Sequence, residues 1–141
     1  MGIWFMPYTV EQLNGAAGPV MPGHLGIEFI AIGDNFLTAT MPVDNRTRQP
    51  AGLLHGGASV ALAETLGSMG AWMCIDRAVK QCVGIEINAN HIRSITSGNV
   101  TGVSTPLHIG KSTHVWEIKI TNQESELVCI SRITIAILDK K

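Results

Sequence analysis

Apolar positions between residues 25 and 42 alternate or run in short blocks on either side of Gly33, Asp34 and Asn35, which predicts a β-hairpin with strands over 25–32 and 36–42. From residue 56 to about 75 the pattern changes: apolar side chains fall all round a 3.6-residue period, the mark of a helix buried on most sides. Four strand-like runs follow, over 82–92, 99–107, 114–121 and 127–138, with turn signals near 97–99, 109–111 and 122–125. Upstream, Thr9-Val10-Glu11-Gln12 has the form of a capping box and predicts a short helix over 9–14, a lid or flank, before a flexible segment at 15–19. The order β-β-α-β-β-β-β predicts an α+β fold in a single domain spanning 1–141. Four consecutive strands with short turns predict an antiparallel meander, with the one long helix on its concave face.

That helix is rich in small residues. Gly57, Ala58, Ala61, Ala63, Gly67, Gly70 and Ala71 would let a surrounding sheet come close, although each glycine weakens an isolated helix by about 1 kcal/mol. Tertiary packing must therefore hold it.

Composition narrows the function. With 141 residues, 45% hydrophobic and 15% charged, the chain suits one domain with a substantial core. A formal net charge of −1 and no basic run argue against nucleic-acid binding. No apolar stretch reaches the length of a membrane span, and MGIWFMPYTV lacks the features of a secretory signal, so a cytoplasmic protein is expected. Cys74, Cys82 and Cys129 are odd in number and set in apolar sequence, which predicts core residues and no disulfide or zinc framework. The five histidines form no metal-binding spacing, and no metal or cofactor is expected.

One carboxylate stands out. Glu64 lies among Leu62, Ala63, Leu66 and Met69 with no Lys or Arg within a helical turn, and Ser68, four residues on, shares its face. The plain alternative is a solvated glutamate on an exposed face. Ahead of it, Pro50, Gly52, His55, Gly56 and Gly57 form a glycine-rich entry to the helix, where a free Gly56 N–H at the positive helix end can stabilise an oxyanion. His55 alone reads equally as a helix-start or core residue, and Gln49 as an ordinary loop glutamine able to donate a side-chain hydrogen bond. Gly56 and Glu64 are eight residues, or about 12 Å, apart on one helix and cannot serve one carbonyl within one subunit. If both act on it, two antiparallel helices must meet in a dimer with two composite sites. Two polar clusters, His91-Ile92-Arg93-Ser94 after Asn90 and His108-Ile109-Gly110-Lys111-Ser112-Thr113, could hold phosphates, though hairpin ends are commonly polar.

Gln49-Pro50, LLHGG at 53–57, Ala63-Glu64, INANHIR at 87–93 and PLHIGKSTHVWEI at 106–118 together resemble the hotdog-fold acyl-CoA thioesterases. The likeness runs over nearly the whole chain. It points to the branch containing 4-hydroxybenzoyl-CoA, phenylacetate-pathway, 1,4-dihydroxy-2-naphthoyl-CoA and enterobactin-proofreading thioesterases. The resemblance implies a curved antiparallel sheet wrapped around one central helix, a homodimer, and a homotetramer built as a dimer of dimers. It implies hydrolysis of acyl-CoA thioesters, with aromatic acyl groups favoured, and coenzyme A or an acyl or aryl carrier protein as the thiol carrier. Glu64 is then nucleophile or general base, Gly56 N–H polarises the carbonyl, and Gln49, His55 and Ser68 orient thioester, leaving group or water. Gly84, residues 91–94 and residues 108–113 match segments lining the coenzyme A and acyl cleft. Ala51 stands where such enzymes often carry a bulkier aromatic, implying a roomier acyl pocket. Lys111 stands near a position often held by arginine, and offers a point charge without a bidentate fork. Two rivals remain at this level: a hotdog 3-hydroxyacyl thioester dehydratase and a non-catalytic acyl-CoA sensor.

Overall fold

The structure, a computed structural model, describes residues 2–141. Its elements are α1 (Val10–Ala17), α2 (Met21–His24), β1 (Glu28–Ile32), β2 (Leu37–Pro42), α3 (Gly56–Met73), β3 (Lys80–His91), β4 (Asn99–Ile109), β5 (Thr113–Thr121) and β6 (Leu127–Asp139). The capping box forms as expected: Gln12 N–H donates to the Thr9 hydroxyl, and Thr9 N–H to the Gln12 side chain. The helix does not stop at Asn14, however, but continues through Gly15 to Ala17. Burial of Leu13 and Ala17 explains this, as does Asn14, whose side chain bonds both the N–H and the C=O of Phe29. α2, a single turn with Pro22 near its start, was not anticipated, and it delays β1 to Glu28.

The expected four-strand meander does not form. Strand order is β1-β2-β4-β5-β6-β3, all antiparallel, so only β4, β5 and β6 meander. β3 lies at the far edge, paired to β6 from Lys80↔Asp139 to His91↔Cys129, and β4 pairs with β2. The reason lies in residues 92–98. Ile92 and Arg93 N–H both donate to Val128 O, which carries the chain past the start of β6. The segment is then tied to the loop before α3 by Leu54 N–H to Ile95 O at 2.7 Å, and by the Arg48 guanidinium to Thr96 O. The turn signal at Gly98 is real, with φ +81°, but its carbonyl accepts from Val43 N–H and so delivers β4 to β2.

α3 packs against β2 through β6. Its small residues admit the sheet as expected. A Cβ at Gly67 would strike Ile133, one at Gly70 would lie 2.8 Å from the Trp116 ring, and one at Gly102 on β4 would lie 2.6 Å from Leu66. Leu62, Leu66 and Met73 thus bury fully against Trp116, Ile118, Ile120, Ile133 and Ile135. Cys129 is buried; Cys74 and Cys82 are half-buried, and burial, with Cys82 nearby, pushes the Cys74 thiol up to about 12. Edge strand β3 is largely exposed, Ile85 by 62%. Among the described residues no helix is long and apolar enough to cross a membrane.

Candidate active site

α3 runs antiparallel to β3, so its N-terminus meets the His91 end and its C-terminal half the Gly84 end. Glu64 sits in the third turn, half-buried, not fully buried as an acid among apolar neighbours would suggest. The Ser68 hydroxyl donates to Glu64 Oε2 at 3.1 Å and fixes the carboxylate's orientation. Room for that carboxylate comes from β3: a Cβ on Gly84 would lie 2.6 Å from Glu64 Oε2. Glu64 and Ser68 line a cavity of about 500 Å³ with Ala16, Ala17, Val20 and Pro22 on one side, Thr65, Met69 and Trp72 along α3, and Cys82 on β3.

Gly56, the first residue of α3, lines a different cavity, of about 280 Å³, with Gln49, His91, Ile92, Arg93 and Ser94. Among the described residues its N–H has no acceptor, whereas Ala58 and Ser59 N–H both return to His55 O. The His91 ring fills the space beside Gly56, where a Cβ would lie 3.0 Å from its Nε2. His55 takes the helix-start role: its Nδ1 accepts Gly57 N–H at 2.7 Å as the N-cap. Among the described residues its Nε2 has no partner, and His55 lines a third cavity with Arg46 and Arg48. Gln49 Oε1 accepts Ala51 N–H within its own turn, which leaves the amide NH₂ for another partner. Ala51 is exposed and lines none of these cavities, so within one protomer it does not widen an acyl pocket.

The two polar clusters fall at opposite ends of the sheet. Residues 91–94 border the Gly56 cavity, with Arg93 paired to Glu126 at 3.1 Å. Residues 108–113 form the β4–β5 turn, where Gly110 N–H donates to Thr113 O and Ser112 O accepts Ile137 N–H. Thr113 pairs with Ala136, which pairs with Val83, eight residues along β3 from His91 and so about 26 Å away. His108, Ile109, Lys111 and Ser112 are exposed and line neither the Glu64 nor the Gly56 cavity. Next to them His114 is buried, and burial, with His108 nearby, pushes its pKa down. Within one protomer the sequence-predicted site is therefore split in two. Glu64, Ser68 and Gly84 lie toward one end, and Gln49, His55, Gly56 and residues 91–94 toward the other. The capping box at Thr9 had marked α1 as a lid or flank, but the cavity walls from α2, Trp72 and Cys82 escaped sequence reasoning.

An antiparallel sheet around one helix, with a carboxylate on that helix and a free amide at its start, defines a hotdog fold equipped for acyl chemistry. The thioesterase superfamily matches residues 51–129, and the chain belongs to it. It is a thioester hydrolase. The chain is 52% identical, over 96% of its length and 99% of the relative's, to 1,4-dihydroxy-2-naphthoyl-CoA hydrolase of Escherichia coli strain K12. It is 48% identical to the proofreading thioesterase EntH of Cronobacter turicensis, over 96% and 98% of the two chains. The crystal structure of a mutant thioesterase from Pseudomonas aeruginosa superimposes with a TM-score of 0.97 at 47% identity, covering 99% of this chain and all of that one.

Proposed function

We propose that the protein hydrolyses acyl-CoA thioesters, preferring aromatic acyl groups of the hydroxybenzoyl or dihydroxynaphthoyl kind, in composite sites shared by two subunits. The observation that carries this reading is the division of one helix: a carboxylate on an apolar cavity at one end, and an unpaired amide eight residues away at the other. A twofold axis that sets two α3 helices antiparallel brings Glu64 of one subunit to Gly56 of its partner. The same operation brings residues 108–113 of one subunit toward residues 91–94 of the other, joining the two polar clusters into one groove for the nucleotide. The largely exposed edge strand β3 offers the surface for such pairing.

The chemistry follows. The Gly56 N–H draws charge onto the thioester oxygen. Glu64 then attacks the carbonyl carbon, or takes a proton from a water that does, and coenzyme A leaves as thiolate, needing no strong acid. Ser68 holds the carboxylate; the Gln49 amide and His55 Nε2 orient the thioester or water. The E. coli relative's name supplies an aromatic bicyclic acyl group, and the mostly apolar cavity beside Glu64 suits one. A homotetramer of two such dimers, cytoplasmic, with coenzyme A or a carrier protein bearing the acyl group, completes the reading, and the reaction calls for no metal or cofactor. The dehydratase and sensor alternatives gain no support from relatives named hydrolase and thioesterase.

Thiol release from a panel of aromatic and aliphatic acyl-CoAs tests it. Wild type should turn over aromatic thioesters fastest, and Glu64→Ala should lower kcat about 10²–10⁴-fold while folding and assembling normally. A folded Glu64→Ala protein that retains full activity would remove Glu64 from the mechanism; no release from any thioester by wild type would remove the function.

A further inference from the structure

Trp72 lines the Glu64 cavity two helical turns beyond the carboxylate. Along α3, Glu64, Ser68 and Trp72 follow at four-residue steps on one face, so a group held at Glu64 and running toward the helix C-terminus meets Trp72 after about 12 Å. Ala16, Ala17, Val20 and Pro22 line the side of this path. Trp72 itself is not free to swing aside. The Arg77 guanidinium lies over its ring at 3.6 Å, and the Tyr8 ring packs against it at 5.7 Å between centroids, tilted by 44°. Arg77 also reaches the Tyr8 ring, at 5.8 Å, so the three side chains brace one another across the N-terminal segment and the end of α3.

We propose that Trp72, braced by Arg77 and Tyr8, is the end wall of the acyl slot and sets the longest acyl group that the enzyme accepts. The proposal rests on the thioesterase reading for its substrate and adds a residue that limits specificity, not one that takes part in the chemistry. A slot of about 12 Å holds an extended chain of roughly eight carbons, or a two-ring aromatic, before the wall is met.

The test uses a series of non-hydrolysable S-alkyl-CoA thioethers of increasing length, titrated calorimetrically into the assembled enzyme, beside kcat/KM for the matching acyl-CoAs. Wild-type affinity should rise about fourfold per methylene and then stop rising near eight carbons. Trp72→Ala should move the break to longer chains, and the gentler Trp72→Phe should move it less. Arg77→Met, which leaves the ring and frees it, should blur the break. A break at the same length in wild type, Trp72→Ala and Trp72→Phe overturns the proposal, as does thioether affinity that ignores chain length in wild type. Should wild type hydrolyse nothing while the thioether break still moves with Trp72, the wall stands and the catalytic reading falls.

Discussion

At residue scale, Gly84 shows how the site depends on what is missing. A methyl group there would sit 2.6 Å from Glu64 Oε2, and the carboxylate, at the end of a flexible side chain, would move aside at little cost to the fold. Gly84→Ala should therefore keep its free energy of unfolding in urea within about 0.5 kcal/mol of wild type while kcat falls about 10–100-fold, since a displacement near 1 Å can cost that much. Equal losses of stability and activity would show that Gly84 supports β3 and not the carboxylate. The sequence marked Gly84 through its resemblance to a cleft segment, but not the reason for it, because the contact joins residues twenty positions apart. His55 illustrates the opposite limit. Its place before the glycines suggested both catalysis and a helix start, and the bond from Gly57 N–H to Nδ1 shows that the second role is filled whatever Nε2 does.

At element scale, glycine acts differently in two helices. Gly15 on α1 has nothing within 4 Å of where a Cβ would stand, whereas one at Gly70 on α3 would lie 2.8 Å from the Trp116 ring. Gly15→Ala should stabilise the protein by about 0.5–1 kcal/mol through helix propensity alone. Gly70→Ala should destabilise it, overpacking of about 1–3 kcal/mol outweighing a propensity gain of about 1 kcal/mol. Chemical denaturation of the two variants side by side checks both signs. Strand and helix positions were legible from spacing to within a few residues, because apolar periodicity records which face is buried. Strand order was not. Nothing in the period of β3 or β4 says that Ile92 and Arg93 will bond Val128 and carry the chain across, instead of turning it back.

At the scale of the whole molecule, the composite site makes a prediction that no single-subunit site shares. Glu64→Ala should lower activity about 10²–10⁴-fold, and so should Gly56→Pro. The latter removes the amide hydrogen at a first-turn position whose backbone suits proline, the preceding His55 being already extended with φ −67° and ψ 131°, and it requires the His91 ring, 3.0 Å from a Cβ there, to shift by a few tenths of an ångström. Unfolded together in equal amounts and refolded, the two impaired variants should regain about a quarter of wild-type activity, because half the dimers are mixed and each holds one intact pair of Glu64 and Gly56. Activity that stays at the level of the single variants in a mixture shown to contain mixed dimers would place both groups in one subunit's site.

The sequence by itself determined the element types and the chemistry on offer: hydrophobic period fixes burial locally, and a carboxylate in a small-residue helix behind a glycine-rich start is a local fact. Only the tertiary structure decided that β3 joins β6 at the edge, that the two polar clusters stand at opposite ends of the sheet, and that α1, α2 and a braced Trp72 wall the cavity at Glu64. Those outcomes depend on contacts between residues far apart in the chain, whose energies no local pattern records.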